Sequence, residues 1–164
     1  MNIGIIGSGG REHALSFKLK QSKIVDKIYC IPGNAGTKLI AENISIQIND
    51  FEKIKKISIE KKIELLIIGP EKPLVDGISD YFKDTNIKIF GVTALTSLSD
   101  EDTGAIFQRT ASNQVKAMLD LAQEAQIDGV VCSPHELDLV VERKSLLSIT
   151  PGIRLSESAD DQSR

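Results

Sequence analysis

The sequence has no tryptophan, only two cysteines and seven tyrosines and phenylalanines together among 164 residues. Cys30 and Cys132 lie in strand-like apolar runs without CxxC or Cys/His spacing, so they read as buried thiols rather than a disulfide or metal ligands. No metal site is expected. No purely apolar run exceeds the length of Leu65 to Ile68, far short of the roughly 20 residues a membrane helix needs. The start also lacks the basic-then-apolar pattern of a signal peptide, so a cytoplasmic protein without membrane partners is expected. Internal repeats, low-complexity tracts and a P-loop are likewise missing. The lysines at 53, 55, 56, 61 and 62 have no interleaved aromatics, which favours a solvated helix face over a nucleic-acid surface.

What is present is ordinary for a globular chain: 41% apolar, 26% charged, net charge -3. It is not evenly spread. Residues 1–91 hold 13 Lys, one Arg and 19 Ile, whereas residues 92–164 hold two Lys, four Arg and four Ile. Charge splits in the same place, 14 basic minus 11 acidic giving +3 and 6 minus 12 giving -6. Such asymmetry arises from a partner-binding face or from two ancestries. The shift in isoleucine favours the second.

Short β-branched runs alternate with helical patterns, which predicts an α/β fold built from parallel βα units. Strands are expected at Ile3–Gly7, Lys27–Ile31, Ile44–Ile48, Glu64–Ile68, Ile87–Thr96, Gly129–Cys132 and Leu146–Thr150. Helices are expected at 11–21, 51–61, 74–83, 113–126 and 134–144. Val115, Met118, Leu119, Ala122 and Ala125 recur at helical spacing and should face the core.

The chemistry begins at Gly7-Ser8-Gly9-Gly10-Arg11-Glu12-His13, between a buried strand and a helix. Glycines there admit a ligand close to the backbone, and free amides at a helix start favour an anion such as phosphate. The dinucleotide fingerprint fails, because Glu12 occupies its third glycine position and the second strand ends in Ile31-Pro32-Gly33 without an acidic ribose ligand. A tight turn with a solvated Arg-Glu-His face is the alternative. Pro32–Thr37 and Gly69–Leu74 fall at two further strand ends, on the sheet edge where open α/β folds bind ligands. Three converging loops would make a sugar-phosphate pocket, with Glu71 facing hydroxyl groups or simply solvent. His135 follows a helix cap and reads as a surface residue, and Ser8 has no triad partners at readable spacing.

IIGSGGREHAL, PGNAGT and GPEKPLVDG, in that order, resemble the N-terminal domain of phosphoribosylamine-glycine ligase, over essentially 1–91. The resemblance implies a Rossmann-like layer that helps bind phosphoribosylamine, with Gly9, Gly10, Arg11, Glu12, His13 and Ala14 and then Gly69, Pro70 and Glu71 lining the site. That family continues after IFG with a proline and an ATP-grasp module, whereas Val92 follows here. The ATP and Mg²⁺ cofactors of the family would therefore have no binding domain, and no cofactor is expected.

LTSLSDED, LAQEAQIDGVVCSPHE and TPGIRLSESADDQSR instead resemble the later part of orotidine 5'-phosphate decarboxylase, a TIM barrel, over about 92–164. This resemblance implies that Thr96 faces the pyrimidine while Arg154 and Gln162 hold the substrate phosphate. The segment lacks the glycine that many relatives carry before Asp161-Gln162, and no DxKxxD array occurs in the chain. No catalytic residue is assigned.

The expectation is a chimera joined near Gly91 and Val92: a Rossmann-like layer followed by TIM-barrel-derived βα units. It would keep a glycine loop for a phosphoribosyl small molecule without complete catalysis. Retained activity of either parent enzyme is one alternative. A structural fusion, self-associating or pairing with another chain through an open sheet edge, is the other.

Overall fold

The computed structural model describes residues 1–94 and 99–150. They pack as two compact units, Met1–Gly91 and Val92–Arg164. Every paired strand in either unit runs parallel, which places the chain in the α/β class.

In the first unit β1 (Asn2–Gly7), β2 (Lys27–Pro32), β3 (Glu42–Asn43), β4 (Ile63–Ile68) and β5 (Lys88–Val92) lie in the order β3-β2-β1-β4-β5. The chain builds outward from β1 to β3 and then returns to the other side of β1. The strand order therefore reverses between β1 and β4, and a doubly wound sheet opens a crevice at the carboxyl ends of such a pair. Isoleucine supplies most of the core: Ile5, Ile6, Ile31, Ile54, Ile67, Ile68 and Ile78 are fully buried. β-Branched side chains suit strands packed on both faces, which explains the near-continuous apolar runs of β1 and β4.

The helices of this unit are α1 (Gly10–Leu19), α2 (Phe51–Glu60), α3 (Lys72–Val75) and α4 (Ile78–Phe82). Asp50 caps α2 by accepting the Lys53 amide, and the Lys53 ammonium bonded to the same carboxylate holds it below the usual carboxylate range. Lys55 pairs with Asp84 and Lys61 with Glu42, so much of the lysine cluster is neutralised along an exposed face. Ser58, fully buried on α2, has a hydroxyl without a hydrogen-bond partner. S58A should therefore raise stability by about 1 kcal/mol in urea unfolding, because the alanine removes an unpaired polar atom at little cost in packing. Equal or lower stability would show that the hydroxyl is satisfied in solution.

Two expectations for this unit are corrected. Ile44–Ile48 is not a strand. The strand is Glu42–Asn43, paired to Tyr29 and Cys30, and the chain leaves the ladder as the Ile46 amide bonds back to the Ile44 carbonyl. The alternating apolar pattern still half-buries Ile44, Ile46 and Ile48, but burial without a partner edge makes no strand. The single helix expected at 74–83 is divided by Gly77, whose left-handed φ of 86° ends α3 and starts α4.

The second unit holds α5 (Asp100–Phe107), α6 (Ala111–Glu124), β6 (Gly129–Val131), α7 (Leu137–Val141) and β7 (Leu147–Ile149), with β6 and β7 paired in parallel. Ala111, Val115, Leu119 and Ala122 form the buried face of α6. Helix α5 lies outside the expected helices, although Ser99 and Asp102 form a reciprocal capping box at its start. The helix expected at 134–144 shortens to a 3-10 turn, Pro134–Glu136, followed by α7. Arg143 closes this end, donating to Asp120 and to the Leu139 carbonyl. Among the described residues no helix is long and apolar enough to cross a membrane.

Candidate functional site

The three loops singled out by sequence meet at the carboxyl ends of β1, β2 and β4. The Gly33 amide donates to the Gly7 carbonyl and the Gly69 amide to the Ile6 carbonyl, so the β2 and β4 loops both start against the end of β1. Ser8, Gly9 and Gly10 are exposed above this junction. By position the Gly10, Arg11 and Glu12 amides have no intrahelical acceptor, and they open α1 with partial positive charge.

Arg11 spans from the glycine loop to the β4 loop. Its Nη1 donates to the Gly69 carbonyl at 2.7 Å and lies 3.6 Å from Glu71 Oε1. Glu71 itself is exposed and Pro70 half-buried, so both border open solvent. His13 is half-buried and faces Gly36, where an added Cβ would lie 3.2 Å from its Nε2. Glu12 is placed otherwise: its side chain is only 5% exposed, and Oε2 accepts the Gly9 amide at 2.6 Å. Gly9, Gly10, Arg11, His13, Gly69, Pro70 and Glu71 are thus brought to one edge, with the Glu12 carboxylate beneath it. Ala14 is exposed one residue further along α1. Thr96, Arg154 and Gln162 lie outside the described residues.

Sequence reasoning marked the Pro32–Thr37 loop but not the side chain that joins it to the site. Asn34 Nδ2 donates to the carbonyls of Ser8 at 2.8 Å and Gly9 at 3.2 Å, while Oδ1 accepts the Thr37 amide. Asn43, from β3, donates to the Asn34 carbonyl and accepts from the buried Thr37 hydroxyl. The Asn-x-x-Thr spacing of an Asx-type turn was the available signal. Asn43 carried none, since its partners are nine and six residues away. N34A should cost about 1–3 kcal/mol and shift the amide resonances of Ser8–Gly10, because three hydrogen bonds are lost and two loops part. Unchanged resonances there would refute the link.

The cysteines take no part. Both are free and buried, and burial first, then the Glu136 charge, pushes the Cys132 thiol up to about 11. Burial likewise raises Cys30, which lies 3.3 Å from the Ser16 hydroxyl. Both remain protonated thiols at neutral pH. His135 is exposed, and no cluster of three or more metal-ligating side chains occurs among the described residues.

The first unit is thus a Rossmann-like α/β layer with an amide-rich glycine loop at its topological switch point. The chain belongs to the family of the phosphoribosylglycinamide synthetase N domain, matched over residues 1–98, and to the orotidine 5'-phosphate decarboxylase / HUMPS family, matched over 52–164. The two matches overlap at 52–98. The phosphoribosylamine-glycine ligase of Caldanaerobacter subterraneus subsp. tengcongensis is 50% identical over 91 residues, covering 56% of this chain and 22% of the relative. That of Haemophilus influenzae is 50% identical over 93 residues with the same coverage. The chain therefore spans about a fifth of the length of these ligases. Among solved structures, an uncharacterized conserved protein from Geobacillus kaustophilus shares the fold, with TM-score 0.50 and 17% identity, covering 92% of this chain and 83% of that one.

Proposed function

We propose that the first unit binds a phosphoribosyl small molecule, its phosphate on the Gly10 and Arg11 amides and its ribose hydroxyls toward Glu71. The observation that carries this reading is the convergence of the β1, β2 and β4 loops at the switch point, with unpaired first-turn amides beside an exposed carboxylate. Amides at a helix start hold an anion without a counter-ion. Arg11 is already tied to Gly69 and Glu71, so it orders the β4 loop and lends its charge to the phosphate side. The resemblance to phosphoribosylamine-glycine ligases supports phosphoribosylamine as the parental ligand.

In this reading the chain binds but does not ligate. The ligase match ends at 98, and the residues beyond it match the decarboxylase family instead. Thr96, Arg154 and Gln162 would give that second segment its own contacts to pyrimidine and phosphate, and their substitution is the way to test it. Like its biosynthetic relatives, such a protein would work in the cytoplasm.

Titration of the ¹⁵N-labelled chain with ribose 5-phosphate tests the first unit. Saturable shifts confined to residues 7–13 and 69–72, with a dissociation constant near or below about 1 mM, are expected. No shift at about 10 mM would overturn the proposal. Equal affinity for inorganic phosphate would remove the ribose contact to Glu71.

A further inference from the structure

The crevice between β1 and β4 is where a doubly wound sheet takes its ligand, yet here its floor is filled by a side chain of the protein. That side chain is Glu12, reaching back from the first turn of α1. Three glycines make room for it. A Cβ at Gly7 would lie 2.7 Å from Glu12 Cδ, one at Gly9 would lie 3.0 Å from Oε2, and one at Gly69 would overlap Oε1. Gly69 needs no special φ, so space alone requires glycine there. The carboxylate accepts the Gly9 amide, and the Glu12 carbonyl accepts the Ser16 hydroxyl at 2.7 Å, which fixes the turn that carries it.

We propose that Glu12 is a positioning residue that sets the anion-binding loop from beneath, through the Gly9 amide and the Gly7–Gly69 gap, without touching the ligand. The inference rests on the phosphoribosyl reading above and gives one of its site residues a different task. With the Gly9 amide committed to Glu12, the Gly10 and Arg11 amides are left to face outward.

The sign of the electrostatics separates position from charge. A carboxylate beneath an anion site opposes binding by its charge, and a buried carboxylate is tolerated only where it is hydrogen-bonded. Removing the charge while keeping the shape should therefore not weaken binding. Removing the shape should. E12Q retains an oxygen that accepts the Gly9 amide, whereas E12A leaves both the amide and the gap without a partner.

The test compares wild type, E12Q and E12A as full chains, by amide exchange at Gly9 and by ribose 5-phosphate titration. In E12A, Gly9 exchange should rise and affinity fall, each by about tenfold or more, while E12Q stays within about threefold in exchange and binds at least as tightly as wild type. Unchanged exchange and affinity in E12A would overturn the proposal. So would weaker binding with unchanged Gly9 exchange, because Glu12 would then act on the ligand directly. Should E12A not fold, G69A carries the same expectation, since its methyl takes the space of the carboxylate and displaces it from the Gly9 amide without removing the Glu12 side chain. If wild type binds no ribose 5-phosphate, the phosphoribosyl reading fails, and Gly9 exchange alone still decides the role of Glu12.

Discussion

Replacing Gly7 with alanine is expected to lower the unfolding free energy by about 2–4 kcal/mol and to abolish sugar-phosphate binding. Two costs combine at this residue. Its φ of 129° is one that L side chains rarely adopt, and an added Cβ would lie 2.7 to 2.9 Å from three atoms of Glu12. Relief would require the chain to leave β1 earlier, or Glu12 to leave the crevice and surrender the Gly9 amide. Either route moves the loop that carries the free first-turn amides of α1. The Gly33 amide is also hydrogen-bonded to the Gly7 carbonyl, so the β2 loop would shift as well. Urea unfolding and the ribose 5-phosphate titration measure the two effects. A G7A variant with near-wild-type stability and affinity would show that the loop is more adaptable than this packing allows.

The largest loss of stability without a direct effect on the loops is expected for I67A. Ile67 is fully buried as the last-but-one residue of β4, opposite Ile5 on β1 and Phe90 on β5. Truncation removes three carbons of apolar contact and leaves a cavity that surrounding strands cannot close, because their hydrogen-bonded ladders fix the spacing. A cost of about 3–4 kcal/mol follows, a large share of the stability of a unit this size. Far-UV circular dichroism in urea reads it. Amide protection measured separately in each unit shows where the loss falls, since two compact units need not unfold in one step. A cost under about 1 kcal/mol would mean that the β4 core repacks freely.

The sequence read well where pattern and structure obey the same local rule. Strands β1, β2 and β4 follow from short, continuous apolar runs that end at glycine or proline, and helices α2 and α6 from a 3.6-residue repeat that puts their apolar side chains on one face. The glycine loop was legible as a candidate anion site for a similarly local reason: a strand, a run of glycines and a helix start are contiguous in the chain. Reading failed where the deciding partner was distant. Ile44–Ile48 has the alternation of a strand, but a strand needs a neighbouring edge, and the β2 edge is used at Tyr29 and Cys30. The 74–83 pattern looked continuous because Gly77 is silent in a hydrophobic repeat and speaks only through its left-handed φ.

The candidate site divides along the same line. Sequence alone determined that Gly9, Gly10 and Arg11 stand at a helix start and that the β4 loop ends a buried strand, because both facts are set by neighbours along the chain. It also determined the change of composition after residue 91, which needs no coordinates. Only the tertiary structure decided that Glu12 turns inward while Glu71 stays exposed, since the two carboxylates differ in surroundings and not in type. Whether a carboxylate meets solvent or a gap among three glycines depends on strand order, and the reversal at β1 brings Gly7 and Gly69, 62 positions apart, to either side of one side chain.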